Sequence, residues 1–138
     1  MIRRISHIGI AVRSLDESIP FYRDTLGLTF AGTEHVPDQK VTVAFFEAGE
    51  SRIELLEPTD AESPVARFIE KRGPGIHHLA YECDDLRARL ARFARDGVEL
   101  VDPEPRPGAH HMDIAFLHPR ASGGVLTELC QPAEDGST

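Results

Sequence analysis

The sequence predicts an α+β fold of two tandem βαβββ modules whose strands form a curved, mixed sheet. Two observations predict it. The chain repeats itself at a nearly constant offset, and in each copy strand-like alternation gives way to helical spacing and then returns. His7-Ile-Gly-Ile-Ala-Val and His78-Leu-Ala-Tyr-Glu-Cys are His-led, strand-like runs 71 residues apart. Leu15, Ile19 and Tyr22 return at that offset as Leu86, Leu90 and Phe93, and Val43-Ala-Phe-Phe returns as Ile114-Ala-Phe-Leu. Glu54-Leu-Leu-Glu-Pro58 matches Glu128-Leu-Cys-Gln-Pro132 at an offset of 74, the three extra residues falling in the preceding hairpin.

In the first module, residues 4–12 read as a strand rich in Ile and Val. Ser14 with Glu17 three residues on forms a capping box, and Ile19, Tyr22 and Leu26 keep helical spacing up to the stop at Gly27. Strands follow near 28–33, 41–48 and 51–57, with Gly49-Glu50 as the last hairpin turn. Between the modules, Pro64 suits a first helical turn and Gly73 a helix end, which predicts a linker helix over 63–73. The second module reads as strand 76–83, helix 84–96 stopped by Gly97, and strands near 98–101, 112–117 and 125–131. One domain spanning 1–138 results, with modules at about 4–60 and 75–132.

The 138 residues include 41% hydrophobic side chains, too many for a disordered chain. Fifteen Lys and Arg against 23 Asp and Glu leave a formal charge of −8, which repels phosphate backbones and argues against nucleic-acid binding. No apolar run approaches the roughly 18–20 residues that span a bilayer, so no membrane partner is expected. The amino terminus runs directly into a strand pattern without a leader-like apolar core. Cys83 and Cys130 are too few for a disulfide scaffold and read as buried thiols in a reducing cytoplasm.

Strand parity sorts the chemistry. Alternation puts His7, Gly9 and Ala11 on one face and Ile8, Ile10 and Val12 on the other, which must pack beneath the helix. His78, Ala80 and Glu82 repeat the first set against Leu79, Tyr81 and Cys83. Glu54 and Glu128 have the parity that turns them away from their aliphatic neighbours Leu55 and Leu129. Each module therefore offers one histidine and one glutamate from the face away from the helix. If the two sheets face each other about a pseudo-twofold axis, two imidazoles and two carboxylates converge. Burying two carboxylates together without a counter-charge is costly, and a divalent cation removes that cost. A mixed His/carboxylate set suits Co, Ni, Zn, Fe or Mn rather than Ca or Mg.

His7-Ile-Gly-Ile-Ala-Val, Val36-Pro-Asp-Gln-Lys-Val41, Ile53-Glu-Leu-Leu-Glu-Pro58, Gly75-Ile-His-His-Leu-Ala80, Ala115-Phe-Leu-His-Pro119 and Gly124-Val-Leu-Thr-Glu-Leu129 resemble the methylmalonyl-CoA epimerases of the vicinal oxygen chelate superfamily. Paired βαβββ modules in that superfamily also serve glyoxalase I and extradiol dioxygenases. The resemblance covers residues 4 to about 132. It implies metal ligation by His7, Glu54, His78 and Glu128, commonly of Co²⁺, an acyl-CoA substrate, and a homodimer. The implied reaction inverts the C2 stereocentre between a thioester and a carboxylate by proton abstraction, with Glu128 as one base and Glu54 as its partner on the opposite face. By resemblance Gln39 hydrogen-bonds substrate. His118 is read either as lining the pocket entrance or as a turn residue.

The chain departs from the family pattern in two places. Some members carry Gln where Glu54 stands and a separate Glu at the position of Val43, so Glu54 restores a carboxylate that Val43 cannot supply. Pro107-Gly-Ala-His-His-Met-Asp113 puts His110, His111 and Asp113 where relatives have small and basic residues, read as a solvated loop variant or as altered acyl or carrier specificity. His77 has the parity opposite to His78 and reads as structural, and His35 reads as exposed. Lys40, Arg106 and Arg120 read as surface charges or partners of the CoA phosphates. Alternatives remain: glyoxalase I-type isomerisation of a glutathione hemithioacetal, epimerisation of another 2-substituted malonyl-CoA, and a non-catalytic binding module. Extradiol ring cleavage fits less well, because iron oxygenases keep two His and one carboxylate to leave positions open for oxygen.

Overall fold

A computed structural model describes residues 1–133 and shows the α+β architecture, with a four-stranded arrangement in each module. The chain divides into two compact units, residues 7–77 and residues 1–6 with 78 onward. The division passes through strand β1 (Ile2–Ala11), between Ser6 and His7.

In the unit of residues 7–77, β1 is followed by helix α1 (Leu15–Pro20), a π-helical turn over Phe21–Thr25, and strands β2 (Thr29–Val36), β3 (Val41–Ala48) and β4 (Ser51–Pro58). The strand order is β2-β3-β4-β1, with β1 parallel to β4 and the other pairs antiparallel. Helix α2 (Pro64–Arg72) closes the unit, with the Ser63 hydroxyl accepting from Val65 N and Gly73 ending the helix at φ 78°. The linker helix thus forms where Pro64 and Gly73 predict it.

The first helix departs from the expected regular α-helix over 14–26. Ser14 Oγ does accept from Glu17 N (3.2 Å), but the α-helical ladder ends at Pro20. Proline has no N–H to donate and its ring crowds the preceding turn, so the chain continues in a wider register, with Leu26 N bonding Phe21 O at 2.8 Å.

The other unit carries β5 (Gly75–Cys83, from His78), helix α3 (Leu86–Arg95), β6 (Arg106–Pro107), β7 (Met112–Leu117), the short helix α4 (Pro119–Ser122) and β8 (Thr127–Pro132). Its order is β5-β8-β7-β6, with β5 parallel to β8. The strand expected near 98–101 is a single bridge between Leu100 and Leu117. Asp102 Oδ2 accepts from Phe116 N at 2.9 Å, so a side chain takes the donor that a longer strand would need. Pro103, Pro105 and Pro107 add no donors, and pairing resumes only at β6.

Each unit buries its own core on the helix side. In one, Val12, Leu15, Ala44, Phe46 and Leu55 form the cluster, with Ile19, Tyr22 and Phe30 against it. In the other, Cys83, Leu86, Leu90, Ala115 and Leu129 form it, with Tyr81 and Phe93 against it. Leu15, Ala44 and Leu55 correspond to Leu86, Ala115 and Leu129 in the repeat, so the same positions fill both cores. The first helical amide is anchored alike in both: Leu15 N donates to Glu57 Oε1 and Leu86 N to Gln131 Oε1, each at 2.7 Å. No helix among the described residues is long and apolar enough to cross a membrane.

Candidate metal centre

Ladder register builds the same cradle in each module. In the parallel β1/β4 pair Gly9 lies opposite Glu54, and in the antiparallel β3/β4 pair Phe45 does. In the second module Ala80 and Phe116 flank Glu128 in the same way. Cross-strand partners share a face, so each carboxylate sits between a residue too small to cover it and a phenyl ring that shields it from water. Glu54 and Glu128 are each 3% exposed, His7 5% and His78 4%. His7 Nδ1 lies 3.3 Å from Glu54 Oε2, and His78 Nε2 lies 3.2 Å from Glu128 Oε1. The Phe116 ring meets the His78 ring edge to face at 5.4 Å and so fixes the imidazole plane.

His7, His78 and Glu128 are buried donors of the kind that could hold a metal ion. Carboxylates with about 97% of their surface withdrawn from water need positive charge beside them: the Arg52 guanidinium supplies it to Glu54, and a cation held with the imidazole nitrogens would supply it to Glu128. The residues fit a divalent cation.

Arg52 is the residue that motif reading missed. Its Nη2 and Nε donate to Glu54 Oε2 at 3.0 and 3.3 Å, and only 16% of its side chain is exposed. The signal was available, since Arg52 is two residues before Glu54 and strand alternation puts both on one face.

Gln39 ends a 3₁₀ turn (Pro37–Gln39) and is half-buried. His118 caps α4: its Nδ1 accepts from Arg120 N at 3.0 Å, and its Nε2 is 3.8 Å from Glu99. The Arg120 guanidinium, hydrogen-bonded to Glu99, holds that carboxyl below its ordinary range. Lys40 pairs with Glu62 (3.3 Å), Arg106 with Asp102 (3.2 Å) and Arg120 with Glu99 (2.8 Å), so each cation read for the CoA phosphates already holds a carboxylate. His77 packs edge-on against Phe68 at 5.0 Å, the structural role its parity implied, and His35 is exposed. His110 and His111 are exposed in a turn with φ of 61° and 57°. Val43 is buried. Cys83 and Cys130 are free, buried thiols, which burial pushes up to about 11 and about 12.

The family model described as Glyoxalase/Bleomycin resistance protein/Dioxygenase superfamily matches residues 6–116. An uncharacterised protein, YqjC, of Bacillus subtilis is 48% identical over 97% of this chain and 96% of its own. The ethylmalonyl-CoA/methylmalonyl-CoA epimerase of Cereibacter sphaeroides is 41% identical over 95% of this chain and 99% of its own. Among solved structures, a variant Streptomyces coelicolor methylmalonyl-CoA epimerase in complex with 2-nitronate-propionyl-CoA superposes with a TM-score of 0.91 at 40% identity, covering 96% of both chains. The chain belongs to the glyoxalase/bleomycin resistance protein/dioxygenase superfamily and, within it, to the methylmalonyl-CoA epimerase family.

Proposed function

We propose that the protein epimerises the C2 centre of methylmalonyl-CoA, with the two buried His–Glu pairs serving one divalent ion. The observation that carries this reading is the repetition of a buried His–Glu pair in one register in both modules, in a chain 41% identical to an ethylmalonyl-CoA/methylmalonyl-CoA epimerase.

His7, His78, Glu54 and Glu128 would hold the ion, Co²⁺ being the first choice and Ni²⁺, Zn²⁺ or Mn²⁺ others that suit the donor set. Bound there, it supplies Lewis-acid stabilisation of the negative charge that develops on the thioester oxygen as the C2 proton leaves. The chain's own groups do the rest. Glu128 accepts the C2 proton on one face of the substrate, and Glu54 returns a proton on the other, since inversion requires removal and delivery from opposite sides. Phe45 and Phe116 keep water from competing for the carboxylates. Gln39 and His118 are proposed to meet the substrate at the rim, His118 while it caps α4. The enzyme is proposed to act as a homodimer in the cytoplasm, where its two thiols stay reduced.

The test is hydrogen exchange at C2. Metal-loaded protein given (2R)- or (2S)-methylmalonyl-CoA in D₂O should incorporate deuterium at C2 and interconvert the epimers, and metal-free protein should not. Brisk turnover of methylglyoxal with glutathione, without C2 exchange, would overturn the reading in favour of glyoxalase I-type isomerisation.

A further inference from the structure

The repeat sets a control for every residue of the site, and one position breaks it. Counting back two residues from each glutamate gives Arg52 in the first module and Leu126 in the second. Leu126 packs against Ile114, Phe116 and Cys130. Arg52 instead turns its guanidinium onto a carboxylate that is 3% exposed, placing two donors on Oε2. That same oxygen lies 3.3 Å from His7 Nδ1. Arg52 is also the direct cross-strand partner of His7 in the β1/β4 ladder. A carboxylate held on one oxygen by a planar fork loses rotation about its last torsion, and the other oxygen, Oε1, acquires a fixed direction.

We propose that Arg52 is a positioning residue that locks Glu54 through Oε2 and directs Oε1 toward the reacting centre, making the two halves of the site mechanically unequal. This rests on the epimerase reading, with one base on each face of the substrate. Arg52 touches neither substrate nor ion in this account. It acts through Glu54 alone, so its loss disables one face and spares the other.

The experiment compares C2–H exchange of the two epimers separately, in D₂O, for the metal-loaded wild type and Arg52→Leu, which copies the second module. The variant should lose exchange with one epimer by on the order of 100-fold, the loss that a misplacement of about 1 Å produces. Exchange with the other epimer should stay near wild type. Arg52→Lys, which keeps the charge without the fork, should recover part of the loss, and Co²⁺ bound to Arg52→Leu should show a shifted visible absorption spectrum. Equal losses for both epimers, or no loss with an unchanged Co²⁺ spectrum, would overturn the proposal. If Arg52→Leu fails to fold, the same epimer comparison on Arg52→Lys decides it, with an unequal loss in support and an equal or absent one against. Failure of the wild type to exchange either epimer would instead sink the epimerase reading itself.

Discussion

Glu54 lies between Gly9 and Phe45 with Arg52 forked onto one oxygen; Glu128 lies between Ala80 and Phe116, and Leu126 stands where the arginine would be. In the second module the support comes from further out: Arg106 lies over the Phe116 ring at 5.9 Å and pairs with Asp102. The modules agree wherever register dictates the neighbour and differ where only a side chain's reach decides. Duplication thus supplies the same ladder register around each glutamate, and the inequality an epimerase needs between opposite faces of one substrate can enter through single side chains laid on it.

Removing the acid–base group of the second module should give the largest effect. Glu128→Gln keeps a ligating oxygen and the shape of the cradle but cannot carry a proton. C2 exchange should fall about 10²- to 10⁴-fold while much of the metal is retained, as read by deuterium incorporation beside metal analysis. Persistence of exchange would remove Glu128 from the role of base.

Core truncation compares the modules as folding units. Leu55 and Leu129 occupy equivalent positions and are 0% and 3% exposed. Leu55→Ala and Leu129→Ala should each lower unfolding free energy by about 2–5 kcal/mol in urea titration, the range for a buried leucine that leaves a cavity. A much smaller loss in one would show that its module packs less tightly than the repeat implies.

The helix anchors give a finer contrast. Glu57→Ala and Gln131→Ala each strip the side-chain acceptor from a first-turn amide, which should destabilise by about 0.5–2 kcal/mol. The loss should be larger for Glu57, whose carboxylate adds charge at the positive end of the α1 dipole, and that excess should shrink in high salt.

A last comparison concerns pH. Both thiols titrate above their ordinary range in the fold, chiefly because burial disfavours the thiolate, so the folded state binds their protons more tightly than the unfolded chain does. The stability this contributes is complete below the unfolded thiol value of about 8.5 and is lost as pH rises toward about 11 for Cys83 and about 12 for Cys130. Urea midpoints should fall less between neutral and alkaline pH in a Cys83→Ala, Cys130→Ala double variant than in wild type.

Much of this was legible in the sequence because period and repetition are backbone properties. Strand alternation puts His7, Glu54, His78 and Glu128 on the faces away from the helices, and all four are buried there. What escaped depended on local donors or on side-chain reach. Pro20 breaks the α1 ladder by lacking an N–H, Asp102 ends a strand by capturing the Phe116 amide, and Arg52 reaches Glu54 because its side chain is long enough to span two residues along β4. Motif reading weighs residues one at a time, and an arginine before a strand glutamate looks like a surface charge until its face is assigned.

Anomalous diffraction at the cobalt edge, from crystals of the Co²⁺-loaded protein, shows whether both His–Glu pairs serve one ion. One strong peak per chain is expected, within about 2.0–2.3 Å of a nitrogen from each of His7 and His78 and an oxygen from each of Glu54 and Glu128. Two separate peaks, one beside each His–Glu pair, or no peak at either, would contradict it.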